Sequence, residues 1–551
     1  MGGRSVVIVG GVAGGMSAAT RLRRLDEEAS IVVVERSAHV SYANCGLPYY
    51  VGGVIEDEDD LLLQTPQRLF ERFRIDVRVN TEVVAVDAAG RRVTARTAAG
   101  TTEQLPYDAL VLSPGAAPVR PPLPGFDRAL VLRTVEDAER LAGEARGRPA
   151  SAVVIGAGFV GLETAENLAS RGIATTVVEM APQVLTPLDP ELAVLVAAEL
   201  VRHGVAVETG AAVAEVTDAG VVLDDGRTIP GELVVVAVGV RPDVRLAQMA
   251  GLALGPNGGI AVDANGRTSD PSIYAVGDAA EKADSVGGGS SLIALANIAN
   301  RQGRRVADHI CGRAVRPVPS VGTAIVKVFD VVAAMTGWNE RRLRQAGRRY
   351  RVVHSHPMNH AGYYPGAEQM SLKLLFDPDS GAILGAQAVG GSGVDKRIDV
   401  LATAMAAGLE ADRLADVELA YAPPFSSAKD PVNMLGYMAE NVRSGECDVV
   451  EADEVAALQA DGWTAVDVRT AAEHAAGAIP GSVNVPLDVL RDRVGDLDGA
   501  RCLVYCEVGQ RGHTATTLLH ELGIAARNLD GGYRTWRAAD AAAAGDPARL
   551  V

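Results

Sequence analysis

The stretch Val153-Val154-Ile155-Gly156-Ala157-Gly158-Phe159-Val160-Gly161 decides how this sequence is read. Three β-branched residues run into glycines spaced G-x-G-x-x-G, a helical pattern follows, and a second strand, Ala174 to Val178, closes on Glu179. A strand-turn-helix-strand unit of this kind brings backbone N–H groups at a helix N-terminus up to a pyrophosphate, and its closing acid is placed to bind a ribose. The same unit opens the chain. Ser5 to Val9 lead into Gly10-Gly11-Val12-Ala13-Gly14-Gly15, a helical pattern runs through Leu25, and Ile31 to Val34 end at Glu35. Here Val12 stands where the middle glycine would be. Two such units imply two dinucleotides.

At 551 residues the chain is too long for one core and is expected to hold several domains of roughly 100 to 200 residues. Apolar residues make up 48% of it, as in a well-packed globular protein. The 52 basic and 69 acidic side chains leave a net charge of −17, which argues against a nucleic-acid partner or an anionic membrane surface. No apolar run approaches the roughly 18 residues of a membrane span, and the opening SVVIVGGVAGG reads as strand and turn, so a cytoplasmic protein is expected. The five cysteines (45, 311, 447, 502 and 506) are scattered, odd in number and without metal-ligand spacing. That pattern suits a reducing compartment, with no disulfide framework and no metal site.

Further apolar strands end at small-residue turns: LVLSPG (110–115), VVVAVG (234–239) and IYAVGDAA (273–280), the last placing Asp278 where a carboxylate can accept from a ribityl hydroxyl. The two glycine units and the YAVGD segment, in this order, resemble the two-dinucleotide-binding-domain flavoprotein disulfide reductases over residues 1 to about 322. The resemblance implies FAD on the first unit and NAD(P)H on the inserted second. Residues 323–444 resemble the dimerisation domain of those flavoproteins, which implies a homodimer. Residues 442–450, VRSGECDVV, read as a short polar linker. Beyond them AVDVRTAAEHAAGAIPGSVNVPL (465–487) and CLVYCEVGQRG (502–512) resemble a rhodanese domain. The expected fold is therefore α/β. It has an FAD-binding domain in two parts (1–118 and 247–322), an NAD(P)H-binding domain (119–246), an α+β dimerisation domain (323–444) and an α/β rhodanese domain (450–551). By the same resemblance FAD is expected against Gly10, Gly11, Val12, Ala13, Gly14, Gly15, Glu35, Arg36, Ser113, Gly115, Asp278 and Ala296. The pyridine nucleotide is expected against Gly156, Gly158, Phe159, Gly161 and Glu179. Glu179 suits a free 2′-hydroxyl and repels a 2′-phosphate, which favours NADH over NADPH. Phe159 either gates the nicotinamide or packs helix on strand.

Cys45 lies in SYANCGLPYY (41–50). Pro48 suits the first turn of a helix, so Cys45 is expected at a helix N-terminus whose dipole favours the thiolate, although most free cysteines are merely buried small hydrophobes. The glutathione and lipoamide reductases carry a partner cysteine five positions on, where this chain has Tyr50, so no internal disulfide forms. A lone thiol can cycle through a sulfenic acid or through a mixed disulfide with an exogenous thiol. SYANCGLPYY, HAGYYPGA (360–367) and YAPPFSSAKDPVN (421–433) together resemble the coenzyme A disulfide reductases. That resemblance implies a Cys45–S–S–CoA disulfide flanked by Tyr363 and Tyr421 from the partner subunit. It also implies CoA contacts from Ser17, Arg21, Arg24, Ser41, Asn44 and Lys429. The tyrosines can otherwise be interface packing, and the cations solvated surface charges.

In the last domain Cys506-Glu507-Val508-Gly509-Gln510-Arg511 follows a strand, and such a loop can aim backbone N–H groups and the Arg511 guanidinium at a thiolate or persulfide. A phosphatase-like loop or an inactive rhodanese relic are the alternatives. Cys311 and Cys502 read as core and Cys447 as incidental. As a whole the chain resembles the CoA disulfide reductase–rhodanese fusions, also described as CoA persulfide or polysulfide reductases. The alternatives are an NADH oxidase or peroxidase cycling Cys45 through sulfenic acid, a sulfurtransferase on a non-catalytic flavoprotein scaffold, and a redox-sensing interaction protein.

Overall fold

The structure is a computed structural model that describes residues 3–497 and 499–551. It divides into two compact units, Met1–Val178 with Ala212–Ser320, and Glu179–Ala211 with Val321–Val551. Both are mixed α/β, as the glycine units and strand runs imply.

The first unit is built on a five-stranded parallel sheet in the order Ile273–Ala275, Ala109–Leu112, Ser5–Val9, Ser30–Val34, Asp76–Arg78. Its central strands are almost continuous Val, Ile and Leu because both faces are covered, one cluster holding Ile8, Leu22 and Val33 and the other Val7, Leu110 and Leu112. The helix Ala13–Leu25 crosses over one face and packs on Ala296–Ile310. Small residues permit that close approach, since a Cβ on Gly303 would lie 2.1 Å from the Gly14 carbonyl oxygen. A second parallel sheet pairs Ser151–Ile155 with Ala174–Val178 on one side and Leu233–Val236 on the other.

The second unit carries an antiparallel sheet in the order Ala324–Val328, Val331–Gly337, Ile383–Gly390, Ser371–Phe376, Arg351–Ser355, with the helices Val394–Ala407 and Pro431–Ser444 packed against it. The expected linker differs from what is found. The helix continues to Ser444, Cys447 is buried with its thiol pushed up to about 12 by that burial, and Val449–Val450 already pairs with the last domain's sheet. Asp448 and Glu446 look polar in sequence, but the backbone here is a helix cap followed by an edge strand. That last sheet is parallel, ordered Val449–Val450, Ala526–Leu529, Arg501–Tyr505, Trp463–Asp467, Val483–Asn484.

The segment 179–211 belongs to this unit through a buried charge cluster. Lys373 Nζ, fully buried, lies 2.6 Å from Glu191 and 2.9 Å from Asp189 and also pairs with Glu340. The His354 ring bonds Asp530 at 2.6 Å and Glu191 at 3.1 Å. His356 adds a bond to the Thr535 hydroxyl at 2.7 Å, so strand Arg351–Ser355 and its continuation are tied to the helix Gly532–Ala543. Among the described residues no helix is long and apolar enough to cross a membrane.

Candidate active site

The first glycine turn shows why its residues are small. Gly10 takes φ 98°, and a Cβ there would lie 2.0 Å from the Ser113 carbonyl oxygen; on Gly15 it would lie 1.9 Å from the Gly10 oxygen. Val12 is tolerated because its φ is −108°, which any L-residue adopts. The second turn repeats the geometry, with Gly156 at φ 104° and a Cβ on Gly161 only 2.0 Å from the Gly156 oxygen. Gly158 precedes the helix Phe159–Ser170 at φ −78°, and a Cβ there would meet no protein atom within 4 Å, so neither the local conformation nor packing within the chain demands a glycine. Phe159, half-buried, is the first residue of that helix.

One pocket of the first unit gathers Gly10, Val12, Ala13, Gly14, Glu35, Arg36, Asn44, Cys45, Ser113, Gly115, Asp278 and Ala296. Two helices open onto it, Ala13–Leu25 and Ala296–Ile310, and neither has a side-chain cap on its first-turn amides. Uncapped helix N-termini beside glycines that admit close backbone contact fit a phosphate-bearing dinucleotide. Glu35 is buried and pre-set: its carboxylate accepts from Gly11 N at 2.8 Å and from Ser37 N and Oγ at 2.9 Å. Asp278 accepts from Arg133 Nη2 at 2.7 Å, and the Arg133 carbonyl accepts from Asn44 Nδ2 at 2.7 Å. Arg133 was not foreseen, because nothing near it in sequence marks it. Arg36 reaches Asp243 at 3.5 Å.

Cys45 sits in the short 3₁₀ turn Asn44–Gly46 that precedes the helix Leu47–Gly52, whose first turn contains Pro48. Placement before a helix is as expected, but the depressed thiol is not found. Cys45 is exposed as a residue, but crowding of its sulfur by the pocket first, and then the Glu163 carboxylate, push the thiol up. Glu163 itself is raised to about 7 by burial, and its Oε1 accepts from the Tyr49 phenol at 3.2 Å. Both partners carry a spacing signal that sequence reading passed over: Tyr49 is one helical turn after Cys45, and Glu163 one turn after Phe159. Ser41, at φ 51°, donates its N–H to Gly11 O at 2.7 Å and so fixes the Cys45 loop to the glycine turn.

Of the remaining expected contacts, Ser17 Oγ donates to Asn300 Oδ1 at 2.8 Å. Arg21 is held by Asp308 at 2.6 and 2.9 Å, whereas Arg24 is exposed. In the second unit Tyr363 and Tyr421 lie with their hydroxyls 3.1 Å apart although they are 58 positions apart in sequence, and both are exposed, at 76% and 49%. The hydrogen bond to Tyr421 raises the Tyr363 phenol. Lys429, exposed, lies 5.7 Å from the Tyr437 ring. Glu179 ends its strand and accepts from Ala181 N at 2.8 Å.

Cys506 follows the strand Arg501–Tyr505 and is fully buried; its carbonyl accepts from Tyr533 N at 2.7 Å. A Cβ on Gly532 would lie 2.4 Å from Cys506 O and 2.7 Å from Gly509 N, so the loop is pressed against the Gly531-Gly532 turn. Arg511, one residue into the helix Gln510–Glu521, is held by Glu473 at 2.9 and 2.5 Å. Its charge is favoured first by Glu473 and also by Cys506. Cys502 is core, and Cys311 is half-buried against the first unit's core, with Arg4 Nη1 3.8 Å from its sulfur.

Residues 4–303 match the model for pyridine nucleotide-disulphide oxidoreductases, and residues 323–431 the dimerisation domain of the same enzymes. The chain belongs to the pyridine nucleotide-disulphide oxidoreductase family. Its members are oxidoreductases that bind FAD and a pyridine nucleotide, and the two glycine turns described above suit those groups. Residues 451–539 match a rhodanese-like domain, so this pyridine nucleotide-disulphide oxidoreductase carries a further domain of a second family. It is 34% identical over 441 residues to a coenzyme A disulfide reductase of Staphylococcus aureus, an alignment covering 79% of this chain and 99% of that one. The structure of reduced CoADR-RHD from Bacillus anthracis is similar along the full length, with TM-score 0.96, 45% identity and 98% of each chain covered. A NAD-dependent persulfide reductase from A. fulgidus superposes with TM-score 0.90 at 38% identity, covering 97% of this chain and 100% of that one.

Proposed function

We propose that this protein is an FAD-dependent NADH oxidoreductase that reduces CoA disulfide, CoA persulfide or polysulfide through Cys45, as a homodimer, with the rhodanese domain supplying sulfane sulfur. The observation that carries the reading is a single thiol in the pocket that Glu35, Asp278 and two uncapped helix N-termini prepare for a dinucleotide. With Tyr50 where a second cysteine would stand, Cys45 needs an exogenous thiol as its disulfide partner.

FAD, when bound, supplies the two-electron link between NADH and the thiol. Cys45 thiolate attacks the CoA-bound sulfur of CoA persulfide; the S–S bond breaks, the outer sulfur leaves as hydrosulfide (HS⁻) with the electron pair of that bond, and Cys45–S–S–CoA forms. Two electrons from NADH then reopen that disulfide to Cys45 thiolate and CoA thiol. With CoA disulfide the leaving group is a CoA thiolate instead. Tyr363 and Tyr421, exposed and paired on each subunit, are suited to protonating such a leaving group at the partner's Cys45 site. Ser17, Ser41 and Asn44 line the pantetheine path, and Arg24 and Lys429 bind CoA phosphates. Arg21 shares its guanidinium with Asp308 and contributes less. Cys506 carries sulfane sulfur as a persulfide, stabilised by Arg511, and passes it to CoA.

Intact-mass spectrometry of the untreated protein tests the reading. A CoA-sized adduct that disappears in Cys45→Ser is expected. A single added oxygen without CoA would overturn it in favour of a sulfenic-acid oxidase or peroxidase.

A further inference from the structure

Apart from the dinucleotide pocket, the first unit contains a cavity of about 440 Å³ between the loop 255–267 and the helix Ala296–Ile310. Its walls are largely apolar, with Val262, Ile298, Val306 and Val318 among them. Two cations, Arg301 and Arg305, stand one helical turn apart on the face of the helix that lines it. Asn300, the neighbour of Arg301, points elsewhere, to Ser17.

The charges around this cavity do not balance locally. Arg305 Nη2 donates to the Ala264 carbonyl at 2.8 Å, but its Nε is buried without an acceptor. Burial and the nearby Arg301 both disfavour the Arg305 charge, and among the described residues no carboxylate offsets them. The two acids in the wall are occupied. Glu281 accepts from Asn257 N at 2.8 Å, Asn257 Nδ2 at 3.2 Å, Gly259 N at 3.3 Å and the Ser290 hydroxyl, while Asp263 holds Arg267 at 3.0 Å. Lys282 Nζ spends its donors on the Gly277 and Ala280 carbonyls at 2.6 and 2.7 Å. Two like charges a turn apart repel, and a buried guanidinium N–H without an acceptor is costly. An arrangement of this kind in a roomy cavity is what an anion would complete.

We infer that the cavity binds a phosphate ester, its dianionic head between the Arg301 and Arg305 guanidiniums and an apolar body against Val262, Val306 and Val318. A dianion neutralises both arginines, and its oxygens match the planar forks of guanidinium donors. The shared chemistry has two sources, the phosphates of CoA itself or a separate phosphate ester.

Titration calorimetry on the FAD-loaded protein, with phenyl phosphate and inorganic phosphate as probes, tests this. Phenyl phosphate should bind one site per subunit, more tightly than inorganic phosphate, and Arg301→Gln or Arg305→Gln should weaken it at least about tenfold, the loss of one charge-assisted bond. Val262→Phe leaves both arginines in place and fills the space for the body, so it should weaken phenyl phosphate while sparing inorganic phosphate. Competition by saturating CoA would make CoA's own phosphates the source, and its absence would make the source a separate ester. No saturable binding of phenyl phosphate, or equal affinity in parent, Arg301→Gln and Val262→Phe, would overturn the inference.

Discussion

The Tyr49 phenol donates to Glu163 Oε1 at 3.2 Å, joining the helix that follows Cys45 to the helix that follows the second glycine turn. Glu163 titrates at about 7, and as a carboxylate it pushes the Cys45 thiol upward. Cys45 and the helix after the second glycine turn are thereby linked by one titrating group.

Replacing Glu163 with Gln removes the carboxylate but keeps an acceptor for Tyr49. Cys45 should then alkylate faster with iodoacetamide at pH 8, with its pH profile moved to lower pH. The stability change has a defined sign. A carboxyl whose folded pKa lies above its unfolded value binds extra protons in the native state, so its cost is absent below about pH 4.5 and complete above about 7. Glu163→Gln should therefore be more stable than the parent at pH 8, by roughly 1 to 3 kcal/mol after allowance for partial exposure, and no more stable at pH 4.5. Thermal unfolding at the two pH values measures the difference, and an equal gain at both would remove Glu163 as its cause.

Tyr363→Phe and Tyr421→Phe each break the hydroxyl pair. Turnover of CoA disulfide should fall by about 10²- to 10⁴-fold, the usual worth of a general acid, while reduction of the bound flavin by NADH stays near the parental rate. Stopped-flow flavin bleaching beside steady-state turnover separates the two steps. Parental rates in both variants would leave the tyrosines as interface packing.

The sheets were legible because glycine turns and Val/Ile runs are local signals, and so were the places of Glu35 and Cys506, each one residue beyond a strand, and of Asp278, three residues beyond one. What escaped reading are the partners that topology supplies. Arg133 is 145 positions from Asp278, Asn300 is 283 from Ser17, and Glu473 is 38 from Arg511. The elevated Cys45 thiol escaped for the same reason: a helix dipole can be inferred from Pro48, but the opposing Glu163 carboxylate lies 118 positions away. Glu191 is a further case, 182 positions from Lys373 and 163 from His354.

Glu179 ends its strand with a carboxylate where a ribose-binding acid is expected. Glu179→Arg should reverse the preference between the nucleotides, raising kcat/KM for NADPH relative to NADH by about 10- to 100-fold, because a guanidinium pairs with the 2′-phosphate and the acceptor for the free 2′-hydroxyl is gone. An unchanged ratio would detach this carboxylate from the ribose.

Glu473 holds Arg511 with both oxygens and is itself lowered to about 2 by that contact, so it stays ionised across any working pH. Glu473→Gln should leave Cys506 in place but loosen the guanidinium that faces it. Thiosulfate:cyanide transfer should drop about 10- to 100-fold, the worth of one charged hydrogen bond, with NADH-dependent reduction of CoA persulfide unaffected. A matching loss in both activities would point to unfolding of the domain instead.

Among the described residues Lys373 is the only cation touching Asp189, Glu191 and Glu340 together, and His354 reaches the same Glu191 before bonding Asp530. The lysine is held well above its ordinary pKa by these acids, and Glu191 and Glu340 are held low, but at Asp189 burial outweighs the lysine and the carboxyl rises. Lys373→Met keeps the length of the side chain and removes the charge, leaving three carboxylates buried together. Breaking a buried pair from one side costs about 3 to 5 kcal/mol, so unfolding at pH 8 should come at markedly lower denaturant. At pH 5 the loss should shrink, because the orphaned carboxyls then have native pKa values above their unfolded ones and are neutralised by protons as the pH falls. Lys373→Arg should recover part of the loss, since a guanidinium restores the charge in a poorer shape. The same cluster abuts Asp530, and Gly531-Gly532 beyond it supports the Cys506 loop. Thiosulfate:cyanide transfer should therefore fall in Lys373→Met under conditions where the flavin spectrum is still that of the folded protein, and unchanged transfer would confine the cluster to a structural role.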